Sequence, residues 1–250
     1  MYNFFVENDK VNNDTVTIDG SNYNHLKNVL RMGVHDTFLI SCDGKSHLCE
    51  LESVDGGIAI AKIMEKDYQN TELPIKIYLF QGLPKSDKME FIIQKAVELG
   101  VYAVVPTEMT NCVVKLDDKK KKQKQTRWQT IAESAAKQSK RNLIPQVFDV
   151  LSYNAALKMA SELDMILVPY ENKNGMVDTV TALNKLSGCK SVGIFIGPEG
   201  GFDPKEIENA INIDALPISL GSRILRTETA AITALSMCML HIEMNVGEIK

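Results

Sequence analysis

The spacing of apolar residues changes rhythm near residue 70. Before that point they alternate with polar ones. TVTIDG (15–20) and TFLISCDGKSHLCELESVDGGIAIAKIMEK (37–66) carry the period-two pattern of half-buried strands. Asp43-Gly44 and Asp55-Gly56-Gly57 supply the turn chemistry of hairpins. One helical interruption, SNYNHLKNVLRMG (21–33), is expected to be capped by Ser21 or Asn22 and ended by Gly33. Leu26, Val29 and Leu30 should face inward. The polar stretch DYQNTELP, closing on Pro74, separates a small β-rich module (1–70) from a second domain (74–250).

Past that break the strands become continuous apolar runs. IKIYLFQG, VYAVVP, PQVFDV, MILVP, VGIFI and LPISL read as strands covered on both faces, with helices between most of them. SDKMEFIIQKAVELG is a helix whose Met89, Ile92, Ile93, Ala96 and Val97 form one face. Asp87 and Glu90 have capping-box spacing, and Gly100 stops it. A long helix covers roughly 118–140, with Trp128, Ile131, Ala132, Ala135 and Ala136 on one side. This alternation predicts an α/β domain on a parallel sheet, whose ligands sit beyond the carboxyl ends of the strands.

Composition narrows the picture only a little. The 250 residues are 44% apolar and 24% charged, with a net charge of -4, so no global basic field advertises nucleic acid. Five cysteines without a CxxC pair suit reduced thiols in a cytoplasmic protein and give no metal spacing. The N-terminus lacks a basic segment followed by an apolar run, and no apolar stretch has the length of a membrane helix. The expectation is no membrane and no metal.

Two loops carry the candidate chemistry. IFIGPEGGFDPKEI (194–207) runs from a strand through glycines into a helix capped by Asp203 and Glu206, with Pro204 at its first position. A phosphate loop needs a lysine followed by Ser or Thr, which is missing, and a dinucleotide fingerprint is also absent. Glu199 and the acidic cap already complement the positive helix end, so a bound phosphate would meet like charge. A ligand without phosphate suits the loop better; a plain tight turn is the alternative. LGSRILRTETAAITAL (220–235) also joins a strand to a helix. Arg223 and Arg226 can face a ligand or RNA phosphate, or pair internally with Glu228, and Thr227 or Thr229 can cap the helix.

IGPEGGF followed by LGSRILRTETAA, with HLKNVLRMG, KMEFIIQKAVELGV and RWQTIAESAAKQSKR upstream, resembles the ribosomal RNA small subunit methyltransferase E family along nearly the whole chain. The resemblance implies a SPOUT-type α/β knot, a deep trefoil knot on a parallel sheet, behind a small N-terminal PUA-like β-barrel that binds RNA. It implies a homodimer that methylates N3 of one uridine in 16S rRNA of the 30S subunit, with S-adenosyl-L-methionine as donor. Carried onto this chain, the cofactor contacts are Leu167, Val168 and Pro169 of the segment MILVPYE; Ile196, Gly197, Pro198, Glu199, Gly200 and Gly201; and Leu220, Gly221, Ile224, Leu225 and Arg226.

That reaction requires an unpaired uracil presented edge-on and loss of the N3 proton. Arg223 and Arg226 are the candidates to stabilise the resulting anion. Glu199 and Glu228 are candidate bases, unless each only holds a loop arginine. Candidate RNA contacts are Asn24, His25 and Arg31; Lys119, Lys120 and Arg127; and Arg141 of KQSKRN. A non-catalytic RNA-binding assembly factor on the same fold is the rival reading. The final helix, with Ile232, Leu235, Met237, Met239 and Leu240, either packs in the dimer or serves only the intrachain core.

Overall fold

The computed structural model describes residues 1–170 and 175–245. By contacts the chain divides into two units. Met1–Glu72 with Ala136–Ile144 form the first, and the rest forms the second.

The first unit is a six-stranded sheet of β1 (Asn3–Phe5), β2 (Val11–Asn12), β3 (Thr15–Ile18), β4 (Thr37–Cys42), β5 (Lys45–Asp55) and β6 (Ile58–Glu65), in the order β1-β4-β5-β6-β3-β2. All pairs are antiparallel except β1 with β4. Alternation buries Val16, Ile18, Phe38, Ile40, Cys49, Leu51, Ala59 and Ala61 with Phe4 and Leu26 in one core. Asp43 and Gly44, both at positive φ, make the β4–β5 turn. The predicted helix is shorter and less regular than its pattern suggests. A turn of α-helix, α1 (Gly20–Asn24), passes into a π-helical turn over His25–Val29. Asp19, not Ser21 or Asn22, occupies the cap, and the helix stops at Val29 rather than at Gly33. The wider π turn re-aims one residue in the apolar series, so Leu26 is buried while Val29 is 65% exposed.

Residues Ala136–Ile144 are tied to this unit by a buried ion pair and by hydrogen bonds from Thr71 and to Gln69. Arg141, 3% exposed, donates from Nε at 2.9 and 3.0 Å to both carboxylate oxygens of Glu72. Glu72 also accepts from the Asn142 N–H (2.8 Å), and the Arg141 carbonyl accepts from Asn3 and Ser41.

The second unit is an all-parallel sheet of β7 (Lys76–Gly82), β8 (Ala103–Glu108), β9 (Gln146–Val147), β10 (Leu151–Ser152), β11 (Met165–Pro169), β12 (Ser191–Ile196) and β13 (Leu216–Ile218). Its order is β10-β8-β7-β12-β11-β13, with β9 also on β8. Its helices are α2 (Lys88–Glu98), α3 (Asp118–Ser139, whose end from Ala136 on is counted with the first unit), α4 (Tyr153–Ala160), α5 (Met176–Asn184), α6 (Pro204–Ile211) and α7 (Thr227–Met244). The apolar runs fill the interior as their continuity requires: Ile77, Leu79, Val104, Leu167, Val192 and Ile194 are fully buried, and Phe80 stacks on Phe195 at 4.4 Å. α2 buries all five of its predicted face residues, but Asp87 makes no side-chain cap. Its partner in the expected box, Glu90, is drawn off by Arg127. α7 packs on α2 and β12 through Ala231, Ala234, Leu235, Cys238 and Ile242.

Candidate functional site

Three chain segments leave the same edge of the parallel sheet side by side. Register pairs Leu167 of β11 with both Ile194 of β12 and Leu216 of β13, and Pro169 with Ile218. On the other side of β12, Ile196 pairs with Gln81 of β7. The segments after β12 and β13, and the end of β11, therefore converge at the carboxyl ends of neighbouring strands, where ligands of parallel sheets sit. Leu167, Val168 and Ile196 turn their side chains into the core, so only their backbone is offered there. Glu171, the last residue of MILVPYE, lies outside the described residues.

The glycine loop closes as a tight turn. The Gly201 N–H donates to the Pro198 carbonyl (2.9 Å), and Gly201 takes φ 69°, a region L side chains avoid. α6 then begins with the capping box that its sequence predicts. Asp203 accepts from the Lys205 N–H, and Glu206 accepts from the Asp203 N–H, each at 2.9 Å. Glu206 does further work: its other oxygen accepts from the backbone and hydroxyl of Thr110 at 2.7 and 2.9 Å. Asn111 donates to the carbonyls of Gly200 and Gly201. A Cβ on Gly200 would stand 2.9 Å from Cβ of Asn111, so its missing side chain makes room for the protein itself.

The second loop is tied from both ends. At its start the Thr179 hydroxyl donates to the Ser219 carbonyl and accepts from the Ser219 N–H, both at 2.9 Å. At its end, Thr227 sits one residue inside α7. Arg226 occupies the cap position without a side-chain bond, so neither Thr227 nor Thr229 caps the helix. The buried Thr227 hydroxyl instead donates to the Gly197 carbonyl (2.7 Å) and accepts from Gln81 Nε2 (2.9 Å). One hydroxyl thus links β7, the glycine loop and the start of α7.

Charge follows the same pattern. Lys88, in the first turn of α2, places Nζ 3.1 Å from Glu199 and 3.1 Å from Glu228. The contact to Glu228 is an ion pair without an aligned hydrogen bond. The Lys85 N–H also donates to Glu199 (3.1 Å). Partial burial alone would lift both glutamates. Hydrogen bonds from backbone N–H groups and the charge of Lys88 outweigh it, and each titrates below the ordinary range. Lys88 is held above its ordinary value by Glu228 and Glu199. The loop carboxylates therefore pair with a lysine from elsewhere in the chain, not with Arg223 or Arg226. Both arginines are exposed, and Ile224 between them is 100% exposed.

Comparison with known proteins decides the family. A family model described as an RNA methyltransferase domain matches residues 71–239, and one described as an RNA methyltransferase PUA domain matches residues 18–64. The chain is 41% identical to the ribosomal RNA small subunit methyltransferase E of Bacillus subtilis, over 99% of this chain and 100% of that one. The chain belongs to the ribosomal RNA small subunit methyltransferase E family. It is also 35% identical to the protein of that name from Mesomycoplasma hyopneumoniae, over 96% and 99% of the two chains. A crystal structure of the Neisseria gonorrhoeae ribosomal RNA small subunit methyltransferase E bound to S-adenosyl methionine superimposes with a TM-score of 0.77 at 33% identity, covering 94% and 96% of the two chains.

For a member of this family, the sequence-named RNA contacts divide sharply. In the first unit Asn24, His25 and Arg31 are exposed. Arg141 is not available to RNA: it is buried against Glu72, and a phosphate contact would strand that carboxylate. In the second unit Lys119 and Lys120 are exposed, with Lys120 near Asp117, and Arg127 is exposed but paired with Glu90. Sequence reasoning missed Gln81, Lys88 and Asn111 altogether. Lys88 opens KMEFIIQKAVELGV, a segment that carries the family resemblance, yet nothing in an ordinary amphipathic helix singles out its first residue as a partner of the two loops.

Proposed function

We propose that this protein transfers the methyl group of S-adenosyl-L-methionine to N3 of a uridine in 16S rRNA. It would do so in the cytoplasm as a homodimer, with the two loops and the end of β11 forming a knotted cofactor site and the PUA-like barrel assisting RNA binding. The observation that carries the reading is the convergence of the β11, β12 and β13 ends in a chain of this family.

The residues present fit that cofactor. It has no phosphate, and the helix that follows the glycine loop is capped by its own acidic residues rather than left open to an anion. Backbone at Leu167–Pro169 and Ile196–Gly201, with side chains of Leu220 and Leu225, gives apolar and peptide surface for an adenosyl group. When bound, the cofactor supplies a methyl made electrophilic by its sulfonium. The chain's own task is to present uracil N3 in line with it and to favour the deprotonated ring. Glu199 and Glu228 are poor proton acceptors, being ion-paired and held below their ordinary range. Arg223 and Arg226, both exposed, are the groups assigned to stabilising the anion on the uracil oxygens.

The dimer reading draws on α7. Its inner face fills the core. Ile232, Met237 and Met239 remain half-buried, and Leu240 and Met244 are 47% and 77% exposed. A helix apolar on several sides is ordinarily covered on several sides. The deciding experiment is methyl transfer to 30S subunits lacking the modification, read by nucleoside mass spectrometry. N3-methyluridine is expected. A ribose-methylated or other base product would refute the assignment, and no product with no cofactor binding would favour the non-catalytic assembly factor.

A further inference from the structure

Neither loop of the proposed site holds its own charge balance. Glu199 stands in the glycine loop and Glu228 in the first turn of α7, and both reach the ammonium of Lys88. Lys88 is only partly exposed, as are both carboxylates, so water screens the cluster incompletely. Among the described residues other charged groups lie near it, Glu90 of the same turn being paired with Arg127. Lys85 and Asp87 precede it in its own segment, Lys85 bonding to Glu199 through its backbone, and Arg226 approaches Glu228 from the start of α7.

We infer that Lys88 is a positioning residue for methyl transfer, a shared counter-ion that holds the glycine loop and the arginine loop in the one relative geometry that binds the cofactor. This rests on the methyl-transfer reading above. Lys88 touches no reacting atom; it acts through Glu199 and Glu228. Among the described residues the Thr227 hydroxyl also links the two loops, but it fixes the backbone of Gly197 and no charge. Without Lys88 two carboxylates would face each other across the pocket wall. Like charges at such range repel, and the cheapest relief is protonation of one of them.

That consequence separates positioning from mere support. In the wild type both carboxylates are held below the ordinary glutamate range, so above that range they should add little pH dependence to cofactor binding. In Lys88→Met, the ratio of variant to wild-type dissociation constant for S-adenosyl-L-methionine, measured by titration calorimetry, should be about tenfold at pH 8. It should fall to about threefold or less by pH 5.5, as one carboxylate takes up a proton. Lys88→Arg should restore most of the affinity at pH 8, and the loss in kcat/KM for 30S subunits should follow cofactor affinity.

A ratio that stays within twofold of unity at pH 8 would overturn the inference. So would a loss of affinity that does not change with pH, which is the behaviour of a purely structural lysine. Should Lys88→Met fail to fold, the cycle of Glu199→Gln and Glu228→Gln carries the test. A shared lysine makes their effects on affinity non-additive, and strict additivity would overturn the proposal. Binding is read here without reference to which nucleotide is methylated, so failure to form N3-methyluridine leaves this test standing.

Discussion

Replacing Gly82 by alanine tests how closely the glycine loop is seated on the end of β7. Gly82 follows Gln81, and a Cβ built there would lie 2.7 Å from the Pro198 nitrogen, 2.8 Å from its Cδ and 3.0 Å from Met109 Sδ. The first contact is with backbone, which cannot swing aside as a side chain does. The added methyl therefore forces the Pro198 turn away from β7 or distorts β7 itself. Overpacking of this kind costs about 1–3 kcal/mol. In a chain of this size that lowers Tm by roughly 2–4 °C per kcal/mol. A shift of about 2–12 °C is expected for Gly82→Ala, together with a loss of S-adenosyl-L-methionine affinity that survives below the transition. Gly188→Ala is the control, since a Cβ there meets nothing within 4 Å. Differential scanning calorimetry and isothermal titration give both readings. If Gly82→Ala melts within 1 °C of the control and binds the cofactor equally well, the loop is not seated as described.

The Arg141–Glu72 pair should behave as structure and not as an RNA contact: Glu72→Gln is expected to destabilise by about 3–5 kcal/mol in urea unfolding, because it strands a buried guanidinium. The slope of log affinity for rRNA against log salt should not change in that variant, whereas Lys119→Ala should reduce it by up to about one. Thr227→Val leaves Gln81 Nε2 and the Gly197 carbonyl short of a partner, at about 1–3 kcal/mol, again readable by chemical denaturation. Glu199 and Glu228 have depressed values in the folded state. Their stabilising contribution is therefore complete above the unfolded glutamate value and lost as pH falls through the folded one. Acid unfolding monitored by circular dichroism should flatten below about pH 4.5 in Glu199→Gln and Glu228→Gln relative to wild type; an unchanged acid limb would show that the two groups carry no such linkage.

What was legible in the sequence was local. Continuous apolar runs located β7, β8, β11, β12 and β13 because a strand covered on both faces has no polar positions to spare. The α6 cap was legible because Asp203, Pro204 and Glu206 lie within one turn. The ties that hold the site are not local. Lys85 bonds to Glu199 across 114 residues and Gln81 to Thr227 across 146, and no period or motif connects such pairs. The same distance explains the error over Arg141: its segment reads as basic and polar, while the carboxylate that buries it sits 69 residues earlier. Val29 failed for a different reason. A helical period assumes 3.6 residues per turn, and the π turn at His25–Val29 breaks that count.

The order in which these ties appear along the chain has a consequence for how the protein is made. Gln81, Lys88 and Asn111 emerge from the ribosome first, the glycine loop well after them, and Thr227 and Glu228 later still. Until translation passes Glu228, Gln81 Nε2 lacks its threonine and Lys88 holds one carboxylate instead of two. Contacts of such long sequence separation are slow to close. A nascent chain halted before α7 therefore presents the sheet edge with its binding loops unfastened, and the capacity to bind a methyl donor arises only once the start of α7 has been made.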